Sequence, residues 1–192
     1  MEASRANRAR IGVLGCGRVS ARYREVFRDE LTDIADVVAV TDLDRAKSES
    51  FAGDIGGSPV VADMDALLSE KPDLLCILTE SGNHYAHAQK ALEAGINVIV
   101  EKPVTLRLEH DEELSKIARE RGLICAEIKQ NRYNPAMRFL RDAMDVGRFG
   151  TLVSVGVRVH WSRDQSYYDD PWHGRWRMDG GVLSQQAIHH RD

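Results

Sequence analysis

Ile11-Gly12-Val13-Leu14-Gly15-Cys16-Gly17-Arg18-Val19-Ser20 runs from a short apolar segment through a Gly-x-Gly turn into a charged, helix-compatible stretch. Glycine at 15 permits a tight turn, and glycine at 17 lets the backbone approach a pyrophosphate. The small Ser20 in the third position allows the helix to pack close to the strand. The N-terminus of such a helix presents free N–H groups and the positive end of its dipole to phosphates. Asp42 closes the next apolar run, Val37–Val40, 25 residues after Gly17, where an acid can bond ribose hydroxyls. Its charge repels a 2′-phosphate, so NAD is expected ahead of NADP, a preference that nearby Arg45 moderates. Asp44 reads as a helix N-cap. Gly15, Cys16, Gly17, Arg18, Val19, Ser20 and Asp42 are therefore the first candidate cofactor-binding residues.

Outward from this loop, short apolar runs alternate with longer charged ones. Strands are predicted at Ile11–Leu14, Val37–Val40, Val60-Val61, Leu74–Leu78, Asn97–Val100 and Leu123–Ile128. Helices are predicted at Val19–Glu30, Arg45–Ala52, Met64–Ser69, His84–Ala94 and Leu108–Arg121. The strands are continuous Val/Ile/Leu runs without polar alternation, as in a parallel sheet covered by helices on both faces. The expected fold class is α/β, a doubly wound Rossmann domain over residues 1–128. Residues 129–192 then read as the start of an incomplete α+β domain. They hold a helix from Asn134-Pro135 to about Val146, a strand over Thr151–Trp161, a loop over Arg163–Asp179 and a helix over Val182–His190.

Composition narrows the function classes. The 192 residues are 43% hydrophobic and 29% charged with a net charge of −4, which fits a globular protein and not a basic nucleic-acid scaffold. No apolar run approaches the ~18–20 residues that a bilayer requires. Arg5, Arg8 and Arg10 precede apolar Ile11–Cys16, but the run is too short for a secretory signal, so a cytoplasmic protein is expected. Cys16, Cys76 and Cys125 are odd in number and widely spaced in apolar surroundings, and they read as buried free thiols. His84 and His87 lie three apart without a nearby Cys or carboxylate, so no metal site is expected.

Glu101-Lys102-Pro103 follows the run Asn97–Val100. Lys102 would emerge beyond the carboxyl end of that strand, where ligands lie in such folds, and could polarise a hydroxyl or accept its proton. Taken alone, it reads better as a solvated lysine at a helix entry.

The Gly15–Ser20 loop, Asp42, Thr79 with His84, and Glu101-Lys102-Pro103 together resemble the Gfo/Idh/MocA oxidoreductases. The resemblance implies NAD(P)-dependent oxidation or reduction of a sugar or polyol carbon. It also implies that Thr79, His84, Glu101 and Lys102 join the cofactor site. Further on, Lys129–Pro135, Tyr167-Tyr168-Asp169, Trp172 with Gly174-Arg175-Trp176, and Asp179-Gly180-Gly181 with His189 resemble one branch of the family. That branch oxidises C3 of UDP-N-acetylglucosaminuronic acid. The likeness implies a sugar-nucleotide substrate bound by Arg132, Asn134, Tyr168, Trp172, Arg175, Gln185 and His189, with Lys102 and His189 catalytic. Glu80, Ser20, Gln185, Ala187 and Arg191 depart from the usual pattern of the family.

From the residues themselves, His189 follows Gln185 by four and would share a helix face with it. A buried structural histidine is an equal reading. The Trp, Tyr and Arg residues gathered between 161 and 177 suit a sugar nucleotide, and suit a subunit interface as well. Other sugar or inositol dehydrogenases of the family, or a non-catalytic NAD-binding protein, remain alternatives. Relatives continue further and usually form homo-oligomers. The chain therefore reads as truncated at Asp192, with residues beyond Ile128 expected to be poorly protected.

Overall fold

The structure is a computed structural model and describes residues 8–191. Arg5 and the chain end at Asp192, both weighed above, lie outside the described residues. The elements run β1 (Ala9–Leu14), α1 (Ser20–Asp29), β2 (Ala35–Thr41), α2 (Arg45–Asp54), α3 (Met64–Ser69), β3 (Leu74–Ile77), α4 (His84–Glu93), β4 (Asn97–Val100), α5 (Leu108–Arg121) and β5 (Cys125–Glu127). After them come α6 (Pro135–Asp145) and the short helices α7 (Trp176–Asp179), α8 (Val182–Gln185) and α9 (Ile188–Arg191).

All strand pairs are parallel, in the order β2-β1-β3-β4-β5. Alternate strand residues feed two cores, as the two-residue strand period requires. Ile11, Val13, Cys76 and Leu78 pack with Phe27 and Phe51 of α1 and α2. Leu14, Leu75, Ile77, Val98 and Val100 pack with Leu67, Leu92 and Leu114 of α3, α4 and α5. Two aspartates start helices, with Asp44 Oδ1 accepting from Ala46 N at 3.0 Å and Asp63 Oδ1 from Ala66 N at 2.9 Å. Each such cap contributes roughly 1 kcal/mol.

Four sequence expectations are corrected. The sheet has five strands and not six, because Val60-Val61 makes only one parallel bridge to Val40. Pro59 brings no N–H to a ladder, and the chain turns at once into α3. Thr151–Trp161 is not a strand. Val153, Val155 and Val157 are exposed, Val153 by 94%, and no strand lies beside the segment among the described residues to complete a ladder.

The helix expected over Val182–His190 is two short helices, α8 and α9. Ala187 N reaches back to Val182 O at 2.8 Å, and the Gln185 carbonyl bonds Lys102 Nζ instead of extending the helix. The expected loop Arg163–Asp179 also contains a 3-10 turn at Gln165–Tyr168 and α7.

Residues beyond 128 therefore divide. The stretch through α6 to Trp161 is largely exposed, whereas α7 and α8 press on the carboxyl edge of the sheet. A Cβ on Gly82, in the turn after β3, would lie 2.7 Å from Met178 Sδ and 2.9 Å from Arg177 O.

Candidate active site

The strand order changes direction between β1 and β3, and at that switch point a doubly wound sheet opens a crevice beyond its carboxyl ends. Gly15 stands there with φ +97°, and a Cβ on it would come within 2.8 Å of the Leu78 carbonyl carbon. Around a Cβ on Gly17 there is open space. The N-cap of α1, Val19, has no side-chain capping bond and no acid in the first turn, so the helix start is left for an anion. Buried Ser20 donates from Oγ to Gly17 O at 2.7 Å and holds the turn. These features fit a dinucleotide pyrophosphate.

Asp42 also serves the loop itself, which the sequence did not announce. Its Oδ2 accepts from Cys16 N at 2.6 Å and its Oδ1 from Asp44 N at 2.8 Å, so it pins the glycine loop to the end of β2. Burial, helped by the Asp42 charge, pushes the Cys16 thiol up to about 12.

Beyond β4, Glu101 is buried between two donors, Tyr23 Oη at 2.9 Å from Oε1 and Lys102 N at 3.0 Å from Oε2. Tyr23 lies on α1, so the helix that follows the glycine loop is tied to the lysine motif. Its spacing from Ser20 and Phe27 signals only a core position, and its link to Glu101 appears only in the fold. Lys102 Nζ donates to Gln185 O at 2.8 Å. Burial lowers the Lys102 pKa; Glu101 opposes that shift and the charge of Arg163 adds to it.

His84, 1% exposed, is a clamp between loops. One ring nitrogen lies 2.7 Å from Pro103 O and the other 2.9 Å from Thr79 O. His87 Nδ1 lies 3.0 Å from Thr79 Oγ1. The two histidines thus serve backbone and hydroxyl partners. Among the described residues, no group of three or more His, Cys, Asp or Glu side chains could hold a metal ion.

The C-terminal segment completes the edge. Ser81 Oγ donates to Gln185 Oε1 at 3.3 Å, both residues being buried. The break between α8 and α9 removes the shared helix face expected for Gln185 and His189. His189 is tied in through its carbonyl, which accepts from Asn131 Nδ2 at 3.1 Å. Arg132 and Asn134 stand on that same turn, where Asn134 Nδ2 donates to Asn131 Oδ1 at 3.3 Å.

Arg18 reaches from the glycine loop to Asp170, 3.9 Å away, and over the Tyr167 ring. Tyr168 packs edge-on against Tyr167, and Trp172 stacks on His173, which also pairs with Asp170. Arg175 is exposed at the N-cap of α7. The structure thus gathers the glycine loop, Asp42, Thr79, His84, Glu101, Lys102 and Gln185 at one edge. Tyr168 and Trp172 approach from the Arg18 side.

Sequence reasoning missed Tyr23, Ser81, Asp170 and His173 as organisers of the site, and missed how Asp179 works. Buried Asp179 accepts from Gly181 N at 2.8 Å and from Gly174 N. An acid directly before Gly180-Gly181 is the turn signal that could have found it.

Comparison with known proteins agrees with this fold. The Gfo/Idh/MocA model, described as an oxidoreductase family with an NAD-binding Rossmann fold, matches residues 9–128. The WlbA dehydrogenase of Chromobacterium violaceum, solved with NADH and UDP-GlcNAcA, superposes with a TM-score of 0.91 at 32% identity, over 96% of this chain and 53% of that one. The WlbA dehydrogenase of Bordetella pertussis, in complex with the same two molecules, gives 0.88 at 33% identity, over 95% of this chain and 57% of that one. Inositol 2-dehydrogenase 3 of Saccharopolyspora erythraea is 27% identical over 194 residues, 95% of this chain and 57% of its own. The chain spans about half the length of these proteins.

Proposed function

This chain belongs to the Gfo/Idh/MocA oxidoreductases, a family with an NAD-binding Rossmann fold, and on that premise we propose that it oxidises a secondary alcohol carbon, C3, of a UDP-linked N-acetylated sugar acid. NAD, when bound, supplies the hydride acceptor. The glycine loop and the open start of α1 hold its phosphates, and Asp42 meets its adenosine ribose while fixing the loop.

Lys102 Nζ is the atom that takes the hydroxyl proton. Burial favours its neutral form, and its bond to the Gln185 carbonyl at 2.8 Å already aims it at an oxygen on the segment that faces the crevice. Glu101, held by Tyr23, fixes the backbone of the lysine. His189 shares the proton, and the Gln185 amide, fixed by Ser81, orients the sugar. Arg132, Asn134, Tyr168, Trp172 and Arg175 line the approach of the nucleotide. His84 acts through the two loops it joins. A homo-oligomer of the family type would complete the sugar side.

The observation that carries this reading is the Lys102–Gln185 contact, which unites the lysine motif with the C-terminal segment. The likeness to the two WlbA dehydrogenases supports the substrate class. The similarity to the inositol dehydrogenase keeps a free polyol as the second reading. The test is a panel of UDP-sugars and free polyols with NAD, read as absorbance of the reduced nicotinamide. Reduction with UDP-N-acetylglucosaminuronic acid and not with inositol is the expected result, and the reverse pattern would overturn the substrate class.

A further inference from the structure

Arg163 is a cation beside this site that the mechanism leaves without a task. Its guanidinium carbon lies 5.3 Å from the ring centroid of Trp161 and 5.3 Å from that of Tyr167. Nη1 donates to Ser162 O at 3.0 Å, and Nη2 donates to Gln186 Oε1 at 3.1 Å. The same Gln186 amide donates from Nε2 to Tyr167 Oη at 2.8 Å, so ring and guanidinium are set by one side chain. The Tyr167 ring carries a second guanidinium, Arg18 of the glycine loop, at 5.2 Å.

Arg18 pairs with Asp170 at 3.9 Å, whereas Arg163 pairs with no carboxylate among the described residues, because neighbouring Asp164 accepts from Ser166 Oγ and the Tyr167 amide instead. The charge of Arg163 is also felt at Lys102. A guanidinium has five N–H donors, and the bonds to Ser162 and Gln186 leave donors over for a ligand.

We propose that Arg163, held ready by Tyr167 and Gln186, is the residue that makes this site select an anionic substrate, by bonding a pair of its carboxylate or phosphate oxygens. The inference rests on the sugar-nucleotide reading above and deepens it. A planar guanidinium matches two such oxygens at once, whereas a neutral polyol offers them no charge. Arg163 is a specificity residue and takes no part in the proton or hydride step.

The experiment is calorimetric titration of the NADH-loaded chain, unaltered and as Arg163→Met, with UDP, glucuronate and myo-inositol. Arg163→Met should weaken binding of an anion by about 10–100-fold, the range of a charged hydrogen-bonded pair. NADH affinity should stay unchanged, and Arg163→Lys should recover part of the loss. A loss confined to UDP assigns the phosphates, and one confined to glucuronate assigns the carboxylate. Equal binding of both anions by Arg163→Met and the unaltered chain overturns the inference and leaves the sugar-nucleotide reading standing. Failure of the unaltered, NADH-loaded chain to bind either anion overturns both.

Discussion

Gly15 and Lys102 illustrate what a single residue can decide. An alanine at 15 would have to adopt φ +97° and place its Cβ 2.8 Å from the Leu78 backbone. Gly15→Ala should cost about 1–3 kcal/mol and weaken NAD, visible as a lower melting temperature and a weaker calorimetric titration. Asp42→Ala removes both repulsion at the 2′ position and the bond to Cys16 N. It should narrow the NAD–NADP gap and also lower NAD affinity, by about 10-fold for a charged hydrogen bond. Lys102→Met should leave NAD affinity nearly intact and reduce turnover by about 10²–10⁴-fold. The pH dependence follows from the lowered Lys102 pKa. As the proposed base, Lys102 is active when neutral, so alcohol oxidation should rise toward a basic limb with its midpoint below the usual lysine value of 10.5. Stability carries the same sign. Between the folded pKa and 10.5 the unfolded chain binds more protons, so stability rises with pH, and Lys102→Met should abolish that rise in denaturant titrations.

Among the elements, those with a strong local signal were legible. Asn97–Val100 and Leu108–Arg121 have the limits read from sequence, because an apolar run and a Gly122 cap mark their ends. The glycine loop and the lysine motif were legible for the same reason: their chemistry lies in consecutive residues. Val60-Val61 and Thr151–Trp161 misled, since β pattern records a tendency to pair and says nothing about whether a partner stands alongside. The α8–α9 break was illegible because it depends on a lysine 83 residues away. The Tyr23–Glu101 link, spanning 78 residues, was hidden likewise. Amides of Thr151–Trp161 should exchange with solvent orders of magnitude faster than those of β1, β3 and β4. Protection of the 151–161 amides equal to that of the sheet would mean the segment is paired.

At the scale of the molecule, the two cores sandwiching the sheet are built almost wholly from residues before 128. A fragment of residues 1–128 should therefore fold cooperatively and keep most of the NAD affinity, as measured by thermal melting and titration. The same sandwich encloses the sulfur. Cys16 and Cys76 sit in one core, and Cys125 packs against the other. Burial pushes their thiols up to about 12, 12 and 11. Oxidants attack the thiolate, which hardly exists at neutral pH under those conditions. Peroxide should thus age this protein from the outside inward, marking half-exposed Met137 and Met144 of α6 before any cysteine. Its glycine loop, for all that a sulfur sits at the centre, would be among the last parts of the molecule to corrode.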